Sequence, residues 1–139
     1  MRSKSFSKES DMDMYEKKSL SSERSKHGYR PVVYICSPYR GDVMANTEKA
    51  QKYCALAVKK RAIPYAPHLL FPQFMDEGTE KKRDLALFMG RVMLDKCAEV
   101  WVFGDEISEG MRGELERAEN RSKTVRYFTV DGKEKKDNE

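Results

Sequence analysis

Residues 100–118 read VWVFGDEISEGMRGELERA, and this segment combines two patterns with different periods. The apolar, β-prone run Val100–Phe103 is typical of a strand that is buried on both faces of a sheet. A helix is predicted directly after it, with Ser108 as the N-cap. The packed face of that helix is marked by apolar residues at helical spacing, namely Met111, Leu115 and Ala118.

Glu114 lies beside this apolar face, three residues after Met111. Its carboxylate therefore leans toward the packed side of the helix. The carboxyl ends of parallel strands are where open α/β sheets bind ligands, and Gly110 and Gly113 would let a ligand approach the helix closely. Two interpretations remain: Glu114 contacts a ligand, or it is a partly exposed residue that pairs with Arg117 or Arg121.

Composition limits the class of protein. The chain has 139 residues, 39% of them hydrophobic and 36% charged, which fits one domain with flexible ends. No apolar run approaches the roughly 20 residues of a membrane span, and the N-terminus lacks the apolar segment of a signal peptide. The three scattered cysteines argue against a disulfide framework or a zinc site and favour a cytoplasmic protein. Neither a metal nor a cofactor is predicted.

The chain alternates strand-like and helix-like segments. Residues 1–28 are polar and are predicted to be a disordered or loosely ordered extension, residues 29–130 form the domain, and residues 131–139 form a charged tail. Within the domain, strands are expected at 32–36, 62–67, 100–103 and 124–128, with helices at 46–60, 79–96 and after Ser108. This order predicts an α/β fold: a small flavodoxin-like or Rossmann-like parallel sheet of four to five strands with helices on both faces.

The loop after the first strand reads Ser37-Pro38-Tyr39-Arg40-Gly41. It lacks the glycine patterns of dinucleotide-binding loops and of P-loops. Its hydroxyl, aromatic ring and guanidinium are suited to a phosphate or a sugar, although an ordinary turn with a surface arginine is the alternative. His68 follows the second strand and either contacts a ligand or is a structural histidine. The apolar segment Leu69–Met75 makes a homodimer or a higher homo-oligomer plausible.

The motifs Tyr34–Tyr39, Val100–Phe103 and Ser108–Ala118 together resemble the nucleoside 2-deoxyribosyltransferase-like superfamily. Within it, the runs Ala66–Phe74 and Trp101–Asp105 are similar to those of a branch of small uncharacterised domains. Characterised relatives transfer a deoxyribose between bases or hydrolyse the N-glycosidic bond of deoxynucleoside 5′-monophosphates.

The resemblance implies a glutamate nucleophile that attacks the anomeric carbon, and Glu114 stands at that position. Ser108 matches the place where transferases carry an aspartate and monophosphate hydrolases carry a serine. The implied ligand is a nucleoside or nucleotide, and the expected binding residues are Ser37, Pro38, Tyr39, Arg40, His68, Asp105, Ser108, Gly110 and Met111.

The chain also departs from the pattern of this superfamily. Its members usually carry an aspartate on the helix before the central strand, where it contacts or helps to protonate the departing base. Here the nearest positions hold Met89, Gly90 and Arg91, and Asp84 or Asp95 would need a shifted register. Leaving-group protonation is therefore unassigned.

The expected function is N-glycosidic bond cleavage or transfer through Glu114, and the alternative is a non-catalytic nucleotide-binding or sensing module of the same fold. A nucleic-acid-binding role ranks third, because no recognition motif accompanies the net charge of +4.

Overall fold

The sheet consists of four parallel strands: β1 (Val32–Cys36), β2 (Ile63–Tyr65), β3 (Glu99–Phe103) and β4 (Thr124–Phe128). The structure is a computed structural model that describes residues 22–23 and 26–136. Most of the predicted extension at 1–28 and the last three residues of the predicted tail lie outside the described residues. Contacts divide the chain into units at Met1–Arg30 and Pro31–Glu139, and every strand and helix described below belongs to the second unit.

The strand order is β2-β1-β3-β4. It confirms the predicted α/β fold with a parallel sheet. In such a doubly wound order the chain turns back between β1 and β3, so a crevice opens outside the carboxyl ends of these two strands. Tyr34 is paired in register with Val100, and Cys36 with Val102. The C-terminal halves of β1 and β3 therefore lie directly under that crevice.

Four helices connect and cover the strands: α1 (Val43–Lys59), α2 (Pro67–Leu70), α3 (Glu80–Lys96) and α4 (Glu109–Asn120). Helix α1 begins three residues before its predicted start, because the Asp42 carboxylate accepts a hydrogen bond from the Ala45 amide at 3.1 Å and caps the helix there. The predicted cap of α3 is confirmed, since the Thr79 hydroxyl accepts from the Lys82 amide at 3.2 Å. None of the helices among the described residues is long and apolar enough to cross a membrane.

Alternating side chains of the strands build one core cluster on each face of the sheet. Val33 and Ile35 of β1 point to one face, where they join Trp101, Phe103 and residues of α1. Tyr34 and Cys36 point to the opposite face. There they join residues of β3, α3 and α4 in the second cluster: Val100, Val102, Leu94, Met111 and Ala118. The helices thus cover both faces, as predicted.

The segment after β4 folds back along the sheet. Phe128 and Glu134 form an isolated antiparallel bridge, and the Lys135 amide donates to the Tyr127 carbonyl at 2.8 Å. The Lys135 ammonium donates to the Gly104 carbonyl at 3.0 Å and to the Asp105 carboxylate at 2.7 Å. Lys135, which lies in the segment that we predicted as a charged tail, therefore contacts the loop that follows β3.

Candidate functional site

Helix α4 begins at the edge of the crevice, and its N-terminal cap orients its first turn. The Ser108 hydroxyl accepts a hydrogen bond from the Met111 amide at 3.2 Å, while the Met111 sulfur accepts from the Ser108 amide at 3.5 Å. The predicted role of Ser108 as N-cap is therefore confirmed. Met111 is only 1% exposed and anchors this turn in the second core cluster. One helical turn further on, Glu114 is directed toward β1.

The Glu114 carboxylate has a donor on each of its oxygens. The Tyr34 hydroxyl donates to Oε2, and the Cys36 thiol donates to Oε1 at 3.3 Å. Both donors come from the same face of β1 and are 2% and 0% exposed. A carboxylate oxygen can accept about two hydrogen bonds, so each oxygen of Glu114 keeps acceptor capacity beyond its partner in β1.

Burial dominates the electrostatics of Glu114. It raises the pKa of this carboxyl from its usual 4.5 to about 7, and the hydrogen bonds from Tyr34 and Cys36 only partly oppose the rise. The pKa values of Tyr34 and Cys36 are themselves raised, first by burial and then by the nearby Glu114. Both groups therefore stay protonated around neutral pH and keep donating to the carboxylate. A carboxyl group with a pKa near 7 in a crevice is typical of a functional site.

The pairing of Glu114 with Arg117 or Arg121 does not occur. Asp95 of α3 takes both guanidinium groups, with distances of 2.6 Å from its Oδ2 to Arg117 Nη2 and 3.1 Å to Arg121 Nη2. These arginines lower the pKa of the Asp95 carboxyl. The Glu114 carboxylate thus has hydroxyl and thiol partners, and no ion pair to it is found among the described residues.

Glu114 lines a cavity of about 240 Å³ between β1, the α2 region, α3 and α4. Ligand pockets in proteins usually measure about 300–1,000 Å³, so this one suits a small ligand. The full lining consists of Tyr34, Pro67, His68, Phe71, Glu77, Arg83, Ala86, Leu87, Gly90, Arg91, Leu94, Glu109, Gly110, Gly113 and Glu114.

Of the residues predicted from sequence, Glu114, His68 and Gly110 line this cavity. Tyr39 lies against His68, with ring centroids 4.7 Å apart and nearly parallel planes. Burial lowers the pKa of His68 to about 4, while a hydrogen bond to the Ser37 backbone acts in the opposite direction. His68 is therefore neutral at pH 7 and offers uncharged hydrogen-bonding groups to a ligand.

The other predicted residues lie outside the cavity lining. Ser37 is buried, and its hydroxyl has no hydrogen-bond partner among the described residues. Pro38 follows it and is partly buried, whereas Arg40 is exposed and its carbonyl accepts a hydrogen bond from Asn46. Asp105 is exposed and forms an ion pair with Lys135 at 2.7 Å. The expected phosphate cradle of Ser37, Tyr39, Arg40 and Ser108 is thus not part of the cavity wall.

Sequence reasoning missed several lining residues. The α3 wall contributes Arg83, Gly90 and Arg91, and Gly90 leaves space directly beside the Tyr34 hydroxyl. Gly90 and Arg91 were noted only as positions where the resemblance led us to expect an aspartate, and their spacing of seven and eight residues from Arg83 places all three on one side of a helix. Asp84 does not line the cavity, and Asp95 is occupied by arginines, so neither supplies the expected second carboxylate. Glu77 and Glu109 are the further carboxylates of the lining.

Two deoxyribosyltransferases are among the solved structures that are similar to this chain. One is a 2-deoxyribosyltransferase from the psychrotolerant bacterium Bacillus psychrosaccharolyticus, with 15% identity and a TM-score of 0.59, covering 73% of this chain and 74% of that one. The other is a 2-desoxiribosyltransferase from Leishmania mexicana, with 19% identity and a TM-score of 0.48, covering 71% of this chain and 64% of that one. The first likeness confirms the predicted deoxyribosyltransferase-like fold.

No curated protein matches the chain. A family model does match residues 31–128, and its description is "Domain of unknown function (DUF7768)". This range includes β1, the crevice, Glu114 and the last strand. The expectation of a small uncharacterised domain with this fold agrees with that match. The chain therefore belongs to the DUF7768 family of domains of unknown function.

Proposed function

We propose that this protein acts on the N-glycosidic bond of a nucleoside or a nucleoside 5′-monophosphate, with Glu114 as the nucleophile. The observation that carries this proposal is the Glu114 carboxylate, which lines a small cavity at the switch point of the sheet with one donor on each oxygen. The fold is shared with a 2-deoxyribosyltransferase, and this likeness supports the choice of substrate class.

The chemistry requires a carboxylate held under the sugar ring. As the bond between the anomeric carbon and the base breaks, its electron pair leaves with the base, and the sugar gains oxocarbenium character. An oxygen of Glu114 stabilises this positive charge and then bonds to the anomeric carbon, which forms a glycosyl ester. Water or a second base attacks the same carbon and releases the carboxylate. The two successive displacements retain the configuration of the sugar.

The departing base also needs a proton. Glu77, in the loop before α3, and Glu109, in the first turn of α4, are the carboxyl groups of the cavity lining besides Glu114. The expected position on α3 presents Gly90 and Arg91 instead, so these two carboxyl groups are the ones in the lining that can contact the departing base. Neutral His68 lines another part of the cavity, where it can form a hydrogen bond with a sugar hydroxyl or a base, and the ring of Tyr39 stacks on His68.

The test is base release by the purified protein from a panel of deoxynucleosides, ribonucleosides and their 5′-monophosphates. The key variant is Glu114→Gln, and Glu116→Gln is the matched control because Glu116 is exposed on the same helix and outside the cavity. We expect release by the wild type and by Glu116→Gln, and a loss of at least about 10³-fold in Glu114→Gln. A pentose adduct on Glu114, detected by mass spectrometry after rapid denaturation, would identify the ester. Release that survives Glu114→Gln contradicts the proposal.

A second function is favoured by the pKa of Glu114. With a value of about 7, roughly half of the carboxyl groups are protonated at neutral pH, and a protonated carboxyl binds a ligand as a donor rather than attacking it. The protein is then a nucleotide-binding or sensing module. This function predicts saturable binding and thermal stabilisation by a nucleotide with no free base produced over hours. Base release at a rate that scales with enzyme concentration would exclude it.

A further inference from the structure

We propose that Cys36 is a positioning residue whose thiol fixes the orientation of the Glu114 carboxylate and favours its ionised form. The kinetic consequence rests on the function proposed above, whereas the effect on the carboxylate itself does not. Cys36 Sγ lies 3.3 Å from Oε1 of Glu114 and is completely buried. The second oxygen is held by Tyr34, two residues earlier on the same face of β1.

Two hydrogen-bond donors hold the carboxylate plane of Glu114 in one orientation, whereas a single donor does not. The terminal torsion of a glutamate is broad and roughly two-fold, so a single hydrogen bond from Tyr34 leaves the plane of the carboxylate free to rotate. A second donor on the other oxygen restricts that rotation and sets the direction of the remaining lone pairs. These lone pairs are the ones available to the anomeric carbon, and a displacement reaction depends steeply on their direction.

Burial keeps the thiol in its donor form. The pKa of Cys36 is raised, first by burial and then by the charge of Glu114, so the S–H group persists at every pH at which the site would work. The alternative acceptor for the thiol is the Met111 carbonyl, which lies farther away at 4.0 Å. The shorter contact, to a charged acceptor, is the stronger one.

Cys97 provides an internal comparison. It is also a free cysteine, is 1% exposed and belongs to the same core cluster as Cys36. It makes no hydrogen bond to Glu114, so its thiol contributes only packing with respect to the carboxylate. Both cysteines are buried in the same core cluster, but Cys36 hydrogen-bonds to Glu114 whereas Cys97 lies close to Lys123.

Other ionisable groups line the cavity together with Glu114. Tyr34 belongs to β1, His68 to α2, Glu77 to the following loop, Arg83 and Arg91 to α3, and Glu109 to α4. Tyr127 of β4 faces Cys36 itself. Among the described residues, only Tyr34 and Cys36 donate to Glu114 through their side chains. A change in the titration of Glu114 in a Cys36 variant can therefore be traced to the thiol.

The experiment is a ¹³C NMR titration of the Glu114 carboxyl carbon in the full chain, assigned with Glu114→Gln. Relative to the wild type, we expect Cys36→Ala to raise the apparent pKa of Glu114 by about half to one pH unit, because a thiol is a weak donor to a charged acceptor. Cys36→Ser keeps a donor and is expected to stay close to the wild type. Cys97→Ala removes the same volume from the same cluster and is expected to leave the pKa unchanged. A rise in Cys36→Ala no larger than that in Cys97→Ala overturns the proposal.

A second measurement does not need Cys36→Ala, whose smaller side chain leaves a cavity in the core. The S–H stretching band of Cys36, identified in the wild type by its absence in Cys36→Ser, is expected to move to lower frequency as Glu114 ionises between about pH 5 and pH 9. The band is expected to be insensitive to pH in Glu114→Gln. A band that stays fixed in the wild type across this range overturns the proposal even if Cys36→Ala fails to fold.

Kinetics separate this proposal from the proposed function. If the wild type releases base, the ascending limb of the pH profile of kcat/KM is expected to move to higher pH in Cys36→Ala, in parallel with the NMR titration, and to stay in place in Cys97→Ala. If the wild type releases no base, the proposed function fails, and the titration and the S–H band still decide the role of Cys36.

Discussion

Replacing Glu114 by glutamine is expected to stabilise the folded protein at neutral and alkaline pH. The carboxyl has a pKa of about 7 in the folded chain and 4.5 when it is free in water. Between these values the folded protein holds a proton that the unfolded chain has released. The contribution of this group to stability is therefore fully present below about pH 4.5 and is lost as the pH rises through about 7.

The magnitude follows from the same two values. The difference between pKa 4.5 and about 7, at about 1.36 kcal/mol per pH unit, corresponds to about 3 kcal/mol. Glutamine has nearly the same shape, does not titrate and can still accept from Tyr34 or Cys36. The stability of Glu114→Gln relative to the wild type should thus rise by about 3 kcal/mol between pH 4.5 and pH 8. For a domain of this size that is about 10 °C in Tm.

The assay is urea unfolding, followed by the fluorescence of buried Trp101, at pH 4.5, 6, 7 and 8 for the wild type, Glu114→Gln and Glu116→Gln. We expect the free energy of unfolding of Glu114→Gln to separate progressively from that of the other two as the pH rises. A constant difference between Glu114→Gln and the wild type across this range would refute the reasoning, because it would mean that the carboxyl titrates alike in the folded and unfolded chains.

Four further predictions concern Gly90, Ser108 and Gly132. A Cβ at Gly90 would meet the Tyr34 hydroxyl at 3.5 Å, an ordinary contact, so Gly90→Ala should stabilise α3 by about 1 kcal/mol in urea unfolding. Gly90→Leu should fill the cavity and abolish any thermal stabilisation by a nucleotide. Ser108→Ala should cost about 1 kcal/mol by the same measurement, and Ser108→Asp should restore most of it, because either an aspartate or a serine caps α4. Gly132→Ala should lower the Tm, with a loss of about 1–2 kcal/mol, since Gly132 has φ 89° and its Cβ would lie 3.0 Å from the Leu56 side chain.

Local patterns were sufficient to predict the fold. The apolar runs at β1, β3 and β4 and the caps at Thr79 and Ser108 are signals within a few residues, and they place the strands and helices. Glu114 was predicted for a similar reason, because its position next to an apolar helix face follows from helical spacing alone. What could not be predicted was which strand the Glu114 side chain would meet.

The residue types of Tyr34 and Cys36 gave no indication that these side chains would hydrogen-bond to Glu114. In the run VVYIC, Tyr34 and Cys36 look like ordinary strand residues, and only the pairing of β1 with β3 and the position of α4 bring them to the carboxylate. In the loops, the residue types suggested a role in binding, but the positions of the side chains could not be predicted. Arg40 and Asp105 have side chains of types that bind ligands. The side chain of Asp105 instead forms an ion pair with Lys135, which lies 30 residues further along the chain. Contacts of that range leave no local signal.

The bonds from Lys135 also bear on how far the rim of the cavity can move. By binding both the Gly104 carbonyl and the Asp105 side chain, this lysine restrains the start of the loop at 104–108, while Ser108 restrains its end. A ligand that contacts Gly110 or Gly113 therefore meets the N-terminal end of α4, whose movement is restrained because the preceding loop is held at both ends. The opposite rim lies between α2 and α3, where the connection 74–79 contains no helix or strand, and we expect any opening of the crevice to occur there.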